Sequence, residues 1–204
     1  MIVLGLTAGA GVSAALLYPI ANNVAARLAI FFGMYVVIAA LVLLAYRYDG
    51  IRGVPLGFER GHPSHQIGAG VMVSGLLVLL IVGIPALVGF DPRGIVGSGQ
   101  NVLAFAIVIA VTVGFVEEIA FRGYLLGRLR ALMRSRVAAI VLSSVAFGLF
   151  HLTSGDTAQV VVTICIGGVL ATARVFWEPF SLTSAIIAHC LYDAALAVIA
   201  TALR

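Results

Sequence analysis

The chain has 204 residues, of which 62% are apolar and only 10% charged, with a mean hydropathy of +1.17. A soluble domain carries roughly 25% charged residues, so the composition excludes a protein that faces water on all sides and points to an all-α, polytopic membrane helical bundle. The net charge of +4 rests on arginine alone, and the arginines lie between apolar runs, which reads as membrane topology and excludes a nucleic-acid partner.

The first apolar run, Ile2 to Tyr18, ends at Pro19, and Asn22-Asn23 mark a turn. It has no basic leader and no clear small-residue cleavage site, so it reads as a retained span. Gly5 and Gly9 within it form a small-xxx-small pair. A second run covers Val24 to Tyr46, and the Gly-, Arg- and Pro-rich stretch Arg47 to His65 is the longest expected loop. The third span is Gln66 to Val88, followed by the turn Asp91-Pro92-Arg93-Gly94. The fourth starts near Gln100, passes through Glu117 and Glu118, and runs into a basic amphipathic stretch, Gly123 to Arg136. Val137 to Leu152 is the fifth, closed by Ser154-Gly155-Asp156. Thr157 to Phe176 is the sixth, and Trp177-Glu178-Pro179 separates it from the seventh, Ser181 to Leu203.

The expectation is about seven transmembrane helices, within six to eight, forming a single integral membrane domain over 1–204. Helices are favoured over a barrel because the runs are long and continuous, without period-two alternation. With the amino terminus in the cytoplasm, Arg47, Arg52, Arg60, Arg128, Arg130, Arg134, Arg136 and Arg174 fall inside, and only Arg27, Arg93 and Arg204 fall outside. Cys165 and Cys190 lie in apolar runs and read as small buried hydrophobes, not as a disulfide.

Ionisable residues within spans are costly and mark function by default. Here they gather late in the chain: Glu117, Glu118 and Arg122 in the fourth span, His151 at the end of the fifth, His189 and Asp193 in the seventh. The plain alternative is that they only glue helices together. His189 and Asp193 are i, i+4 and share a face, as do Glu118 and Arg122 in the favoured acid-first order. Glu117 lies about 100° around the helix from Glu118. The simplest division pairs Glu118 with Arg122 and leaves Glu117 to point elsewhere. If the fourth helix continues to a turn near Ser135, Glu117 lies about 18 residues before it and His151 about 16 after. The two would then sit within roughly 3 Å in depth, at about 1.5 Å per residue.

A carboxylate can act as general base toward water, and two histidines can bind a metal or donate to an oxyanion. No Ser–His–Asp order, Gly-rich phosphate loop or H-E-x-x-H signature appears. Cys190 beside His189 points about 100° away from it and makes a poor nucleophile. Hydrolysis by a Glu117-activated water is the reading that remains.

Three runs carry a resemblance. Glu117-Glu118-Ile119-Ala120-Phe121-Arg122-Gly123 resembles the E-E-x-x-x-R signature of the CPBP family of intramembrane proteases, the CAAX-protease and bacteriocin-processing or Abi family. Phe147-Gly148-Leu149-Phe150-His151 resembles its F-x-x-x-H motif, and His189-Cys190-Leu191-Tyr192-Asp193 its H-x-x-x-N or H-x-x-x-D motif. The likeness covers about residues 100–203, and Leu56-Gly57-Phe58 is a weaker echo.

The resemblance implies an intramembrane endopeptidase in which Glu117 activates water with His151, while His189 and Asp193 stabilise the oxyanion or help to hold a metal. Glu118 and Arg122 would be a structural pair, with Phe147 packed beside His151. A zinc ion on His151, His189 and Asp193 and a metal-free glutamate mechanism both stay open. The prenyl-protease branch favours Asn where this chain has Asp193. An ionised Asp cannot donate a hydrogen bond, so Asp193 is protonated, orients His189, ligates a metal, or simply pairs with His189. Expected partners are membrane lipid and a peptide or membrane-protein substrate, lipidated substrates included. The expected location is a bacterial or archaeal cell membrane. The competing readings are a non-catalytic scaffold or bacteriocin immunity protein of the same family, and a small transporter or channel whose polar cluster binds an ion.

Overall fold

The computed structural model describes residues 23–48, 54–58, 62–91, 103–154 and 157–203. Every regular element among them is helical: α1 (Val24–Tyr48), α2 (Pro63–Val78), a π-helical turn (Leu79–Gly83), α3 (Ile84–Leu87), α4 (Leu103–Glu118), a second π-helical segment (Ile119–Leu125), α5 (Leu126–Leu132), α6 (Arg136–Phe150), a 3₁₀ turn (His151–Ser154), α7 (Thr157–Phe176) and α8 (Leu182–Ala202). Among the described residues, four helices are long and apolar enough to cross a membrane: Ala25–Tyr48, Pro63–Leu87, Thr157–Phe176 and Leu182–Ala202. With the shorter apolar helix Arg136–Phe150, they make this an integral membrane protein. The first expected span, with Gly5 and Gly9, and the turn residues Pro92, Arg93 and Gly94 lie outside the described residues.

Local chemistry sets the boundaries. The Asn23 side chain accepts the Ala26 N–H at 2.8 Å and caps α1. The expected loop from Arg47 to His65 is shorter than its composition suggests, because α1 holds its ladder to Tyr48 and α2 starts at Pro63. A proline at the first helical position has no N–H to waste and a φ already suited to a helix. The basic stretch continues the fourth helix and breaks at 133–135, where Ser135 accepts the Ala138 N–H at 3.1 Å and starts α6. Ser181 and Ser184 form a reciprocal capping box at the start of α8.

The described residues fall into two compact units. One holds the described residues up to Leu56 with Ile119–Ala171. Within it, α1 packs on the π-helical segment Ile119–Leu125. The buried face of α6 is Ala139, Ile140, Ser143, Ser144, Phe147 and Gly148, a stripe of helical period. Glycines let backbones approach. A Cβ on Gly148 would strike Ile164 and the Val160 carbonyl of α7, and one on Gly167 would meet Phe147 and the Ser144 backbone at 3.1–3.2 Å. Arg128 is buried, donates to the Val54 carbonyl at 2.9 Å, and lies over the Tyr46 and Tyr124 rings at 5.2 and 4.9 Å.

The other unit holds Gly57–Glu118 with Thr172–Arg204. Here α8 packs on both α2 and α4. Its seat on α2 is Gly70, where a Cβ would come within 2.8 Å of Ile187 and 2.9 Å of the Ser184 carbonyl. Its seat on α4 is Gly114, where a Cβ would meet Cys190 Sγ at 2.8 Å and the Cys190 nitrogen at 3.1 Å. The Ser181 hydroxyl donates to Gln66 Oε1 at 2.9 Å in the buried interior. Gly57, at φ +92, presents its carbonyl to the Leu182 N–H at 2.8 Å and to Arg174 at 3.3 Å, so this loop ties the end of α7 to the start of α8.

The buried stripe of α2 runs Gln66, Ala69, Gly70, Val73, Ser74, Leu77 and then jumps five residues to Val82. That jump coincides with the π turn, where the Ile84 N–H bonds to the Leu79 carbonyl five residues back. The wider turn keeps Val82 on the buried side and precedes Pro85, whose ring would press on the Ile81 carbonyl in a regular α ladder. Both cysteines are free, but Cys165 is exposed and Cys190 half-buried, against the expectation of buried positions. In a membrane span an apolar side chain gains as much from lipid as from a protein core, so apolar surroundings in sequence do not imply burial.

Candidate active site

In the second unit, α8 brings His189 to the carboxyl end of α4. His189 Nδ1 lies 2.8 Å from Glu118 Oε1, both in the buried interior. Against an ionised carboxylate the ring nitrogen is the donor. The opposite nitrogen, Nε2, lies 4.0 Å from Glu117 Oε2 and 3.5 Å from Asp193 Oδ2. The imidazole therefore sits among three carboxylates, one on Nδ1 and two on Nε2. Glu117 and Glu118 side chains are 1% and 0% exposed, while Asp193 is 27% exposed, so Asp193 is the member of the group closest to the surface.

The angle between consecutive helix residues explains the arrangement. Glu117 and Glu118 diverge by about 100°, and the ring between them is approached on different nitrogens. The sequence reading takes that angle to mean that Glu117 points elsewhere, whereas the two carboxylates share one ring. The Gly114 seat holds this register: Gly114 lies one turn before Glu118 and receives Cys190, the neighbour of His189. Asp193, one turn beyond His189, lies 3.5 Å from Nε2.

In the first unit, His151 follows the last residue of α6. Its Nδ1 lies 3.0 Å from the Phe147 carbonyl, which can only accept. In the neutral ring this fixes the tautomer and leaves the lone pair on Nε2. Phe147 packs edge-on to His151 with centroids 5.0 Å apart, as expected, and Phe150 does so at 5.5 Å. The Arg122 guanidinium, also buried, lies 4.1 Å over the Phe147 ring. The Ser143 hydroxyl donates to the Phe121 carbonyl inside the π-helical segment at 3.2 Å. A π turn departs from the α ladder, so this hydroxyl satisfies a backbone group in the segment that carries Arg122.

Phe121, Phe150, Ser143, Gly70, Gly114 and Gly167 are supporting residues that the sequence reading does not single out. Among the described residues, no group of three or more His, Cys, Asp or Glu side chains is arranged to hold a metal ion. The expected ligand set of His151, His189 and Asp193 thus gains no support there.

Neither the curated proteins nor the solved structures offer a significant match to the chain. Residues 99–195, just under half of the chain and the part that carries all three motifs, match the family model described as Type II CAAX prenyl endopeptidase Rce1-like, in agreement with the family that those motifs resemble.

Proposed function

We propose that this protein is an intramembrane endopeptidase that hydrolyses a peptide bond with a water activated by Glu117. The carrying observation is the buried His189 ring, tied through Nδ1 to Glu118 and turned through Nε2 toward Glu117 and Asp193. In this reading the Glu117 carboxylate takes a proton from water as the oxygen attacks the scissile carbonyl carbon. The proton then passes to the leaving nitrogen as the C–N bond breaks, giving a carboxyl and an amine. His189, carrying both ring protons, donates from Nε2 to the oxyanion, and Asp193 orients it. His151 is assigned a catalytic role from the motif resemblance alone. Glu118 and Arg122 serve the fold. The substrate is a peptide or membrane-protein segment, lipidated segments included. The chain is a single membrane domain of about seven spans with a cytoplasmic amino terminus, in a bacterial or archaeal cell membrane.

A buried carboxylate–imidazole cluster also suits a non-catalytic scaffold, in which it only holds α4 and α8 together. Glu117→Gln separates the two readings. Gln matches the size of Glu and keeps an acceptor oxygen, so Gln at this site preserves shape while removing the base. Cleavage of a panel of lipidated and unlipidated membrane peptides, read by mass spectrometry in proteoliposomes, is expected to fall by roughly 10²–10⁴-fold with little change in thermal unfolding. Undiminished cleavage would refute the role of Glu117. Loss of stability without any cleavage by the wild type would favour the scaffold.

A further inference from the structure

We propose that the α5–α6 turn is a binding surface for anionic phospholipid headgroups, formed by Arg130, Arg134 and Arg136. From Ile119 to Gly155 the sequence contains five arginines and no acid. Two of the five look inward: Arg122 lies over Phe147, and Arg128 lies between Val54, Tyr46 and Tyr124. The other three are exposed. None of these three guanidinium groups has a hydrogen bond or an ion pair among the described residues.

Their placement against the apolar surface gives the partner its chemistry. Immediately after Arg136 the exposed face of α6 turns apolar, with Val137, Val141, Leu142 and Leu149 between 47% and 61% exposed. In a membrane-embedded helix such a face meets acyl chains, so the first charged residue before it lies at the headgroup boundary. Arg134 sits in the turn two residues earlier, and Arg130 lies in the last turn of α5, which ends at Leu132. Leu132, 72% exposed between them, supplies an apolar contact at the same level. A guanidinium fork matches phosphate oxygens in paired hydrogen bonds. Three forks beside an apolar step suit a ligand that has both a phosphate and an acyl chain, which a free phosphate ion does not. This assignment does not rest on the peptidase reading.

The test uses the full chain in mild detergent with equimolar phosphatidylglycerol and phosphatidylcholine, bound lipid being counted by native mass spectrometry. Wild type is expected to retain phosphatidylglycerol in preference, and an excess of inorganic phosphate to leave that retention unchanged. Arg134→Gln is expected to weaken phosphatidylglycerol binding roughly fivefold, and the triple Arg→Gln variant by on the order of 100-fold. The triple Arg→Lys variant keeps the charge and is expected to stay within roughly fivefold of wild type. Three results would overturn the proposal: no lipid preference in the wild type, displacement of phosphatidylglycerol by inorganic phosphate, or unchanged binding in a correctly inserted triple Arg→Gln variant. Should that variant fail to fold, unchanged binding by Arg134→Gln is equally decisive.

Discussion

Truncating Glu118 probes the buried cluster at its shortest contact. Glu118→Ala removes the acceptor 2.8 Å from His189 Nδ1, at a site where both side chains are almost fully buried. Removing one partner of a buried ion pair costs roughly 3–5 kcal/mol, because the other is left without compensation. His189 retains Asp193 at 3.5 Å and Glu117 at 4.0 Å from Nε2, which places the cost at the lower end, about 3 kcal/mol. Glu118→Gln keeps an acceptor oxygen and loses only the charge assistance, about 1 kcal/mol. For a chain of this length each kcal/mol lowers the unfolding midpoint by roughly 2–4 °C. The expected shifts are then about 9 °C for Ala and about 3 °C for Gln, read by thermal unfolding of the purified protein in detergent. An Ala variant within a degree of wild type, or a Gln variant as unstable as Ala, would show that the hydrogen bond is not what holds the ring.

Two further substitutions test the seats and the π segment. Gly70→Ala is expected to cost roughly 1–3 kcal/mol in a detergent-denaturation titration. Adding Ile187→Ala is not expected to restore stability, since the Ser184 carbonyl and the Ile187 Cβ still oppose the new methyl; full rescue would disprove the backbone seat. Ser143→Ala is expected to lower stability by about 1 kcal/mol through loss of the bond to the Phe121 carbonyl. Ser143→Thr, which retains a hydroxyl, is the control, and a neutral alanine variant would contradict this account.

What the sequence reveals about the fold and the site follows from what spacing can encode. Long apolar runs suffice to read helices α1, α2, α7 and α8 as membrane-crossing, since hydrocarbon demands continuous hydrophobicity. The i, i+4 spacing places Asp193 beside His189, and the same spacing places Phe147 against His151. Which glutamate meets His189 is not encoded in that way. Spacing along α4 gives an angle, but where α8 puts its ring depends on the Gly70 and Gly114 seats, which are long-range contacts. The π segments are also hidden. In a span whose outer face meets lipid, apolar residues occur all round, and the jump from Leu77 to Val82 leaves no trace in a hydropathy pattern.

That jump makes chain length a fixed quantity in the second described span. Substituting exposed Leu79 or Leu80 changes only what the lipid touches. Deleting one residue between Val78 and Ile84 would return the ladder to its ordinary winding and swing the segment beyond it by about 100°. The Pro85 ring would then be driven onto an engaged carbonyl. The same stretch is thus permissive to spelling and intolerant of a frame shift in its winding.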